Sequence, residues 1–143
     1  MTDELVFETY IKATPERVWE AITTTEFRRQ YFFGSTIEGD LRVGGHVLSH
    51  SPTGQLWGDY EIFVCDPPHT LSHGWRSLYD DELAAEPESR VTWTIEPQDG
   101  DYVKLTVVHD RLGGSPKTAE KIRGWTFVLS GLKSVLETGS GLR

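Results

Sequence analysis

The sequence predicts an α+β domain: a curved antiparallel sheet wrapped around one long C-terminal helix, with two short helices after the first strand. Three observations carry this expectation. Between Ser115 and Thr138, Ile122, Trp125, Leu129, Leu132 and Leu136 recur at three- and four-residue steps, with Val128 and Val135 on the flank. From Ser35 to Val107 the apolar period is instead two, broken by turn residues. Two helix starts, Thr14-Pro15 and Thr24-Thr25, lie between the first apolar run and that region.

In chain order, Leu5 to Lys12 is apolar and β-branched and predicts the first strand. Thr14 is a suitable N-cap and Pro15 fits the first helical position; Val18, Trp19, Ala21 and Ile22 give the helix its buried side. Phe27, Tyr31 and Phe32 suit the second short helix. Strands follow at Thr36 to Glu38, His46 to His50, Leu56 to Cys65 and Thr70 to Arg76. On the third of these Tyr60, Ile62 and Val64 share a side, and on the fourth Leu71, His73 and Trp75 do. The run Asp80, Asp81, Glu82, Glu86 and Glu88 reads as a solvated loop. Arg90 to Glu96 alternates and, after the turn Gln98-Asp99-Gly100-Asp101, Val103, Leu105 and Val107 alternate again.

The last element is expected as one helix capped by Ser115, begun by Pro116 and closed by Gly139, roughly 35 Å long at ~1.5 Å per residue. Gly124 and Gly131 fall inside it, and each costs ~1 kcal/mol against Ala. Either a close backbone approach or space left for a ligand must favour them. Phe127 points away from the main stripe, so it packs on an end of the sheet or makes an intermolecular contact.

Composition narrows the function. At 143 residues the chain is expected to be one domain, residues 1–143, with a real core. Its formal net charge of −8 disfavours nucleic acid and anionic membranes as partners. Cys65 is the one cysteine, so neither an intramolecular disulfide nor a thiolate metal cluster is available. Met1-Thr2-Asp3-Glu4 lacks the pattern of a signal peptide and no apolar run approaches ~20 residues, which makes the cytoplasm the expected location.

The quoted segments also carry a resemblance. Thr14-Pro15-Glu16-Arg17-Val18-Trp19-Glu20-Ala21, Asp40-Leu41-Arg42-Val43-Gly44-Gly45, Pro67-Pro68 through Leu71 to Trp75, Val91-Thr92-Trp93, and Gly124-Trp125 leading to Leu132-Lys133 follow a known order. The chain resembles the START-like (SRPBCC, Bet v 1-like) helix-grip superfamily. Within it the chain is similar to bacterial relatives of the C-terminal domain of the Hsp90-ATPase activator. The resemblance implies a deep cavity between sheet and long helix, used across the superfamily for lipids, sterols, polyketides and other apolar molecules. A few relatives are cyclases or hydrolases. The eukaryotic activators add an N-terminal module that docks on the chaperone. The length leaves no room for it and its Asn- and Trp-rich motif is absent, which argues against chaperone activation here.

Catalytic and metal chemistry find little footing. His46 and His50, like His69 and His73, are four apart on predicted strands, about 13 Å at ~3.3 Å per residue, too far for one zinc ion. There is no G-x-S-x-G elbow, Gly113-Gly114-Ser115-Pro116 lacks a phosphate-loop lysine, and Asp59 and Glu61 are expected to face water. The aromatic residues say more: buried tryptophan and tyrosine need partners for their polar ends, and with the helix glycines they suggest an apolar pocket with a few polar anchors. The candidate ligand-binding residues are Trp57, Tyr60, His73, Trp75, Trp93, His109, Trp125 and Leu129, with His73 and His109 as anchors. The leading expectation is cofactor-free binding of a small hydrophobic or aromatic molecule. The alternatives are a cofactor-free cyclase or hydrolase using His73 or His109 with Tyr60, and a homodimer or client adaptor acting through Phe127 and the sheet edge.

Overall fold

The computed structural model describes residues 4–142; Met1, Thr2 and Asp3, considered above for a leader, lie outside them. The strands are β1 (Leu5–Ile11), β2 (Thr36–Gly39), β3 (His46–His50), β4 (Leu56–Asp66), β5 (Thr70–Trp75), β6 (Ser89–Pro97) and β7 (Val103–Asp110). They form one curved antiparallel sheet in the order β1-β7-β6-β5-β4-β3-β2. Helices α1 (Pro15–Thr23) and α2 (Thr25–Tyr31) follow β1, α3 (Asp81–Ala84) lies between β5 and β6, and α4 (Pro116–Ile122) and α5 (Trp125–Thr138) end the chain. The expected α+β helix-grip architecture is present. No helix among the described residues is long and apolar enough to cross a membrane.

Strand alternation builds the core. Val91, Trp93 and Ile95 of β6 and Val103, Leu105 and Val107 of β7 are all buried. The register sets Trp93 opposite Val107 and Val91 opposite His109, so both strands turn the same parity inward. Against them α5 lays Trp125, Val128, Leu129, Leu132 and Val135, all buried. The Thr14 side chain caps α1 by accepting the Arg17 N–H at 3.2 Å, as its sequence position predicts. Thr24 precedes α2 without capping it, because its hydroxyl donates back to the Glu20 carbonyl.

The long C-terminal helix is in fact two. It breaks at Arg123-Gly124, where the Gly124 N–H donates to the Lys121 carbonyl and the Phe127 N–H to the Gly124 carbonyl. These i-to-i+3 bonds tighten the turn and interrupt the α-helical ladder at a glycine, a poor helix former. Ser115 does not cap α4; its hydroxyl donates to the Pro87 carbonyl instead. The N-terminus of α4 is satisfied by Glu86, whose carboxylate accepts the Lys117 and Thr118 N–H groups at 2.9 and 2.8 Å. Gly139 closes α5 as expected, in the left-handed conformation with its N–H on the Val135 carbonyl.

Two further expectations are corrected. A bulge at Phe63 shifts the β4–β5 register between Ile62 and Val64, so Val64 turns outward and is 43% exposed. The acidic run is not simply a solvated loop. Asp80 caps α3, Leu83 is buried, Glu82 pairs with Lys117, and Glu86 holds α4. A Cβ on Gly131 would meet the Tyr31 Cβ at 3.4 Å, where α5 packs on α2, whereas a Cβ on Gly124 would meet only the Lys121 carbonyl, at 3.5 Å.

Candidate ligand cavity

A cavity of about 410 Å³ opens where α4 bends into α5. The helix side supplies Ile122, Gly124, Trp125 and Val128, and the end of α2 supplies Phe32 and Phe33. Opposite them stand Trp57 at the start of β4 and Trp75 at the end of β5. The polar groups on its wall are Ser77, Tyr79, Thr118 and Lys121. Ser77 reaches it because the segment after β5 bridges back to Gly58 of β4. At the mouth, Phe33 is 60% exposed and stacks on Phe127, 47% exposed, with ring centroids 6.2 Å apart. Phe127 therefore packs on another exposed phenylalanine and not on the sheet. A larger groove of about 830 Å³ lies beyond that pair, among Tyr31, Pro52, Phe127 and Leu142, and holds no tryptophan.

Three of the eight expected residues, Trp57, Trp75 and Trp125, border the cavity. The others form the layer behind it. Tyr60 stacks on Trp75 at 4.8 Å and 6°, Trp93 lies 5.6 Å from Trp125, and His109 is 6.0 Å edge-on from both Trp75 and Trp125. Leu129 sits in the α5 core, 3% exposed. The open space between sheet and C-terminal helices is thus confined to the helix bend, between Trp57 and Trp75 of the sheet and Trp125 and Val128 of α5, while these other side chains pack behind it. Sequence reasoning missed Phe32, Phe33, Ser77, Tyr79, Thr118 and Lys121; Phe32-Phe33 beside Gly34 was the available signal for the mouth.

The two histidines are wall supports. His73 Nδ1 lies 2.8 Å from the Gly74 carbonyl, so this nitrogen carries the proton and donates. Its Nε2 accepts from the Trp93 indole N–H at 3.1 Å, leaving neither nitrogen free. Burial lowers the His73 pKa to about 4, with Arg28 adding to the shift. His109 is fully buried; its Nε2 meets the Ser89 hydroxyl at 2.7 Å, and its Nδ1 has no partner. Burial, aided by His73, pushes His109 down to about 3. Tyr60 is raised above the ordinary tyrosine value by its burial. None of the three borders the cavity, so the acid–base pair required by the cyclase or hydrolase alternative does not converge there.

Elsewhere, Asp59 and Glu61 are exposed, as expected, and Asp59 accepts from or pairs with His46 at 2.7 Å. Among the described residues no group of three or more His, Cys, Asp or Glu side chains is placed to hold a metal ion.

Arg28 is the unusual charge. It is 6% exposed, its Nε donates to the Ser35 hydroxyl at 3.3 Å, and its guanidinium lies 4.2 Å over the Phe32 ring. None of the ion pairs among the described residues involves it. A ring face and hydroxyls offset part of the cost of burying this cation.

Compared with known proteins, residues 12–137 match the family described as Activator of Hsp90 ATPase homolog 1-like protein. No curated protein sequence matches the chain. Similar solved structures include MLL2253 from Mesorhizobium loti, 22% identical over 94% of this chain and 96% of that one, with a TM-score of 0.75. An Aha1 dimer from Colwellia psychrerythraea is 20% identical over 96% and 98%, at 0.73. DynU16, from the dynemicin biosynthetic locus, is 23% identical over the whole chain, which spans 50% of that protein's length, at 0.78. These likenesses establish a shared fold.

Proposed function

Because the chain belongs to the Activator of Hsp90 ATPase homolog 1-like family, we propose that it binds a small apolar, aromatic-rich molecule in the cavity at the α4–α5 bend, without a cofactor. The observation that carries this reading is the wall itself. Three tryptophans and two phenylalanines surround about 410 Å³, within the ~300–1,000 Å³ of small-ligand sites. Trp57, Trp75 and Trp125 are the direct contacts. Tyr60, His73, Trp93 and His109 hold those rings in place from behind, and Leu129 anchors α5 beneath them. The origin of DynU16 in a biosynthetic locus supports a role around small molecules.

Filling the cavity tests this. Gly124 has φ within the ordinary right-handed region, and a Cβ there meets only the Lys121 carbonyl, at 3.5 Å. Gly124→Phe should therefore fold, with unchanged far-UV circular dichroism, and occupy the space a ligand would take. Native mass spectrometry of protein purified from cells should show a stoichiometric small molecule on the wild type and none on the variant. Equal occupancy of both would place the ligand elsewhere and contradict the proposal.

A further inference from the structure

The electrical sign of the cavity is opposite to that of the chain. The chain carries −8, but none of the residues lining the cavity is acidic, and Lys121 is the one charged residue among them. Of the carboxylates nearest in sequence to the rim, Asp81 and Glu120 are exposed and outside the lining, and three others are engaged. Asp80 accepts the Glu82 and Leu83 N–H groups, Glu82 pairs with Lys117, and Glu86 holds the start of α4. None of the ion pairs among the described residues involves Lys121.

A second cation acts from within. The Arg28 guanidinium covers the Phe32 ring, itself part of the wall, and has no carboxylate partner among the described residues. Its field extends into the aromatic layer, where it favours deprotonated Tyr60 and neutral His73. Flat aromatic walls with hydroxyls at Ser77, Tyr79 and Thr118 complete the chemistry.

We propose that the cavity's ligand is a planar aromatic anion, its ring system between Trp57, Trp75 and Trp125 and its acidic group toward Lys121, with the buried Arg28 biasing the site against cations. This inference rests on the cavity being a ligand site and adds the charge of the ligand. Local charge has to overcome the repulsion of the whole molecule for an anion to be favoured.

Two probes sharing one aromatic frame separate the two claims: 1-anilinonaphthalene-8-sulfonate, which is anionic, and N-phenyl-1-naphthylamine, which is neutral. Both should bind wild-type protein and lose binding in Gly124→Phe. Lys121→Glu should weaken the sulfonate about tenfold and change the neutral probe less than about twofold, with Lys121→Gln between. Lys121 is exposed, so these variants should keep the fold. Equal effects on both probes, or none on the sulfonate, would overturn the anion inference and leave the cavity reading standing. Binding of neither probe, or binding of both that survives Gly124→Phe, would overturn the two together.

Discussion

Lowering the pH from 7 to 5 should remove about 4 kcal/mol of folding stability through two buried histidines. The folded protein holds His73 at about 4 and His109 at about 3, whereas in the unfolded chain both titrate near ~6.5. Folded pKa values below the unfolded ones mean that the unfolded chain takes up protons first. The stability is therefore complete above ~6.5 and declines as pH falls, ceasing to change for His73 near 4 and for His109 near 3. At pH 5 each histidine contributes about 2 kcal/mol of the loss, at ~1.36 kcal/mol per pH unit. His46 acts with the opposite sign, since Asp59 raises its pKa and its exposed pair stabilises the fold as pH falls. Asp110, Glu86 and Glu137 are held below the ordinary carboxylate range by Arg90, by Thr118 and the α4 N–H groups, and by Lys133 respectively. They add to the loss only at lower pH. Urea unfolding at pH 7, 6 and 5 should show two protons' worth of slope below 6.5. A flat profile would mean that neither histidine is buried neutral.

Trp75→Ala should cost about 3–5 kcal/mol, the range for removing a fully packed large side chain. Trp75 is the ring on which the aromatic layer converges. It stacks on Tyr60, meets Trp125 edge-on at 5.1 Å, and contacts Phe32, His73 and His109. Its loss opens a void that this rigid layer cannot collapse into, and the cavity loses a wall. Trp57→Ala, at a half-buried position whose aromatic partner is exposed Tyr79, should cost about 1 kcal/mol or less while still weakening ligand binding. Unfolding followed by far-UV circular dichroism distinguishes the two. A Trp75→Ala cost under about 1 kcal/mol would show that the layer is not packed as described.

The fold was legible because its periodicities are strong. The alternation of β6 and β7 and the Thr14-Pro15 start leave few alternatives, and the broad apolar face of the last segment fixes what the sheet must cover. Local departures were not. An extra residue at Phe63 reverses Val64 without any mark in composition. Gly124 was visible as a costly residue, but whether it bends a helix or lines a space depends on packing against residues as distant in the chain as Phe32 and Phe33. Glu86 capping α4 is a contact across more than thirty residues, which no local cap rule reaches.

The cavity shows the same division. Parity correctly placed His73, Trp75, Trp93 and His109 on the inner face, because strand alternation decides that directly. It could not tell which of these rings fill the interior and which border open space, since that depends on how side chains from three elements stack. Trp57 and Trp75 were found as aromatic residues on strands, while Phe33, Ser77 and Lys121 were missed because their roles come from loops and a helix bend. The sign of the cavity's charge was hidden for a similar reason. Net charge is a sum over the surface, and it says nothing about which carboxylates are already engaged.

The most direct test of the cavity reading follows the five indole N–H signals of the protein by two-dimensional ¹⁵N NMR during titration with N-phenyl-1-naphthylamine. Signals of Trp57, Trp75 and Trp125 should shift saturably and together, because those rings form the wall. Trp93, whose N–H is held by His73, and Trp19, on α1, should move far less. Saturable shifts led by Trp19 or Trp93, or no shift at Trp75 and Trp125, would contradict ligand binding at the helix bend.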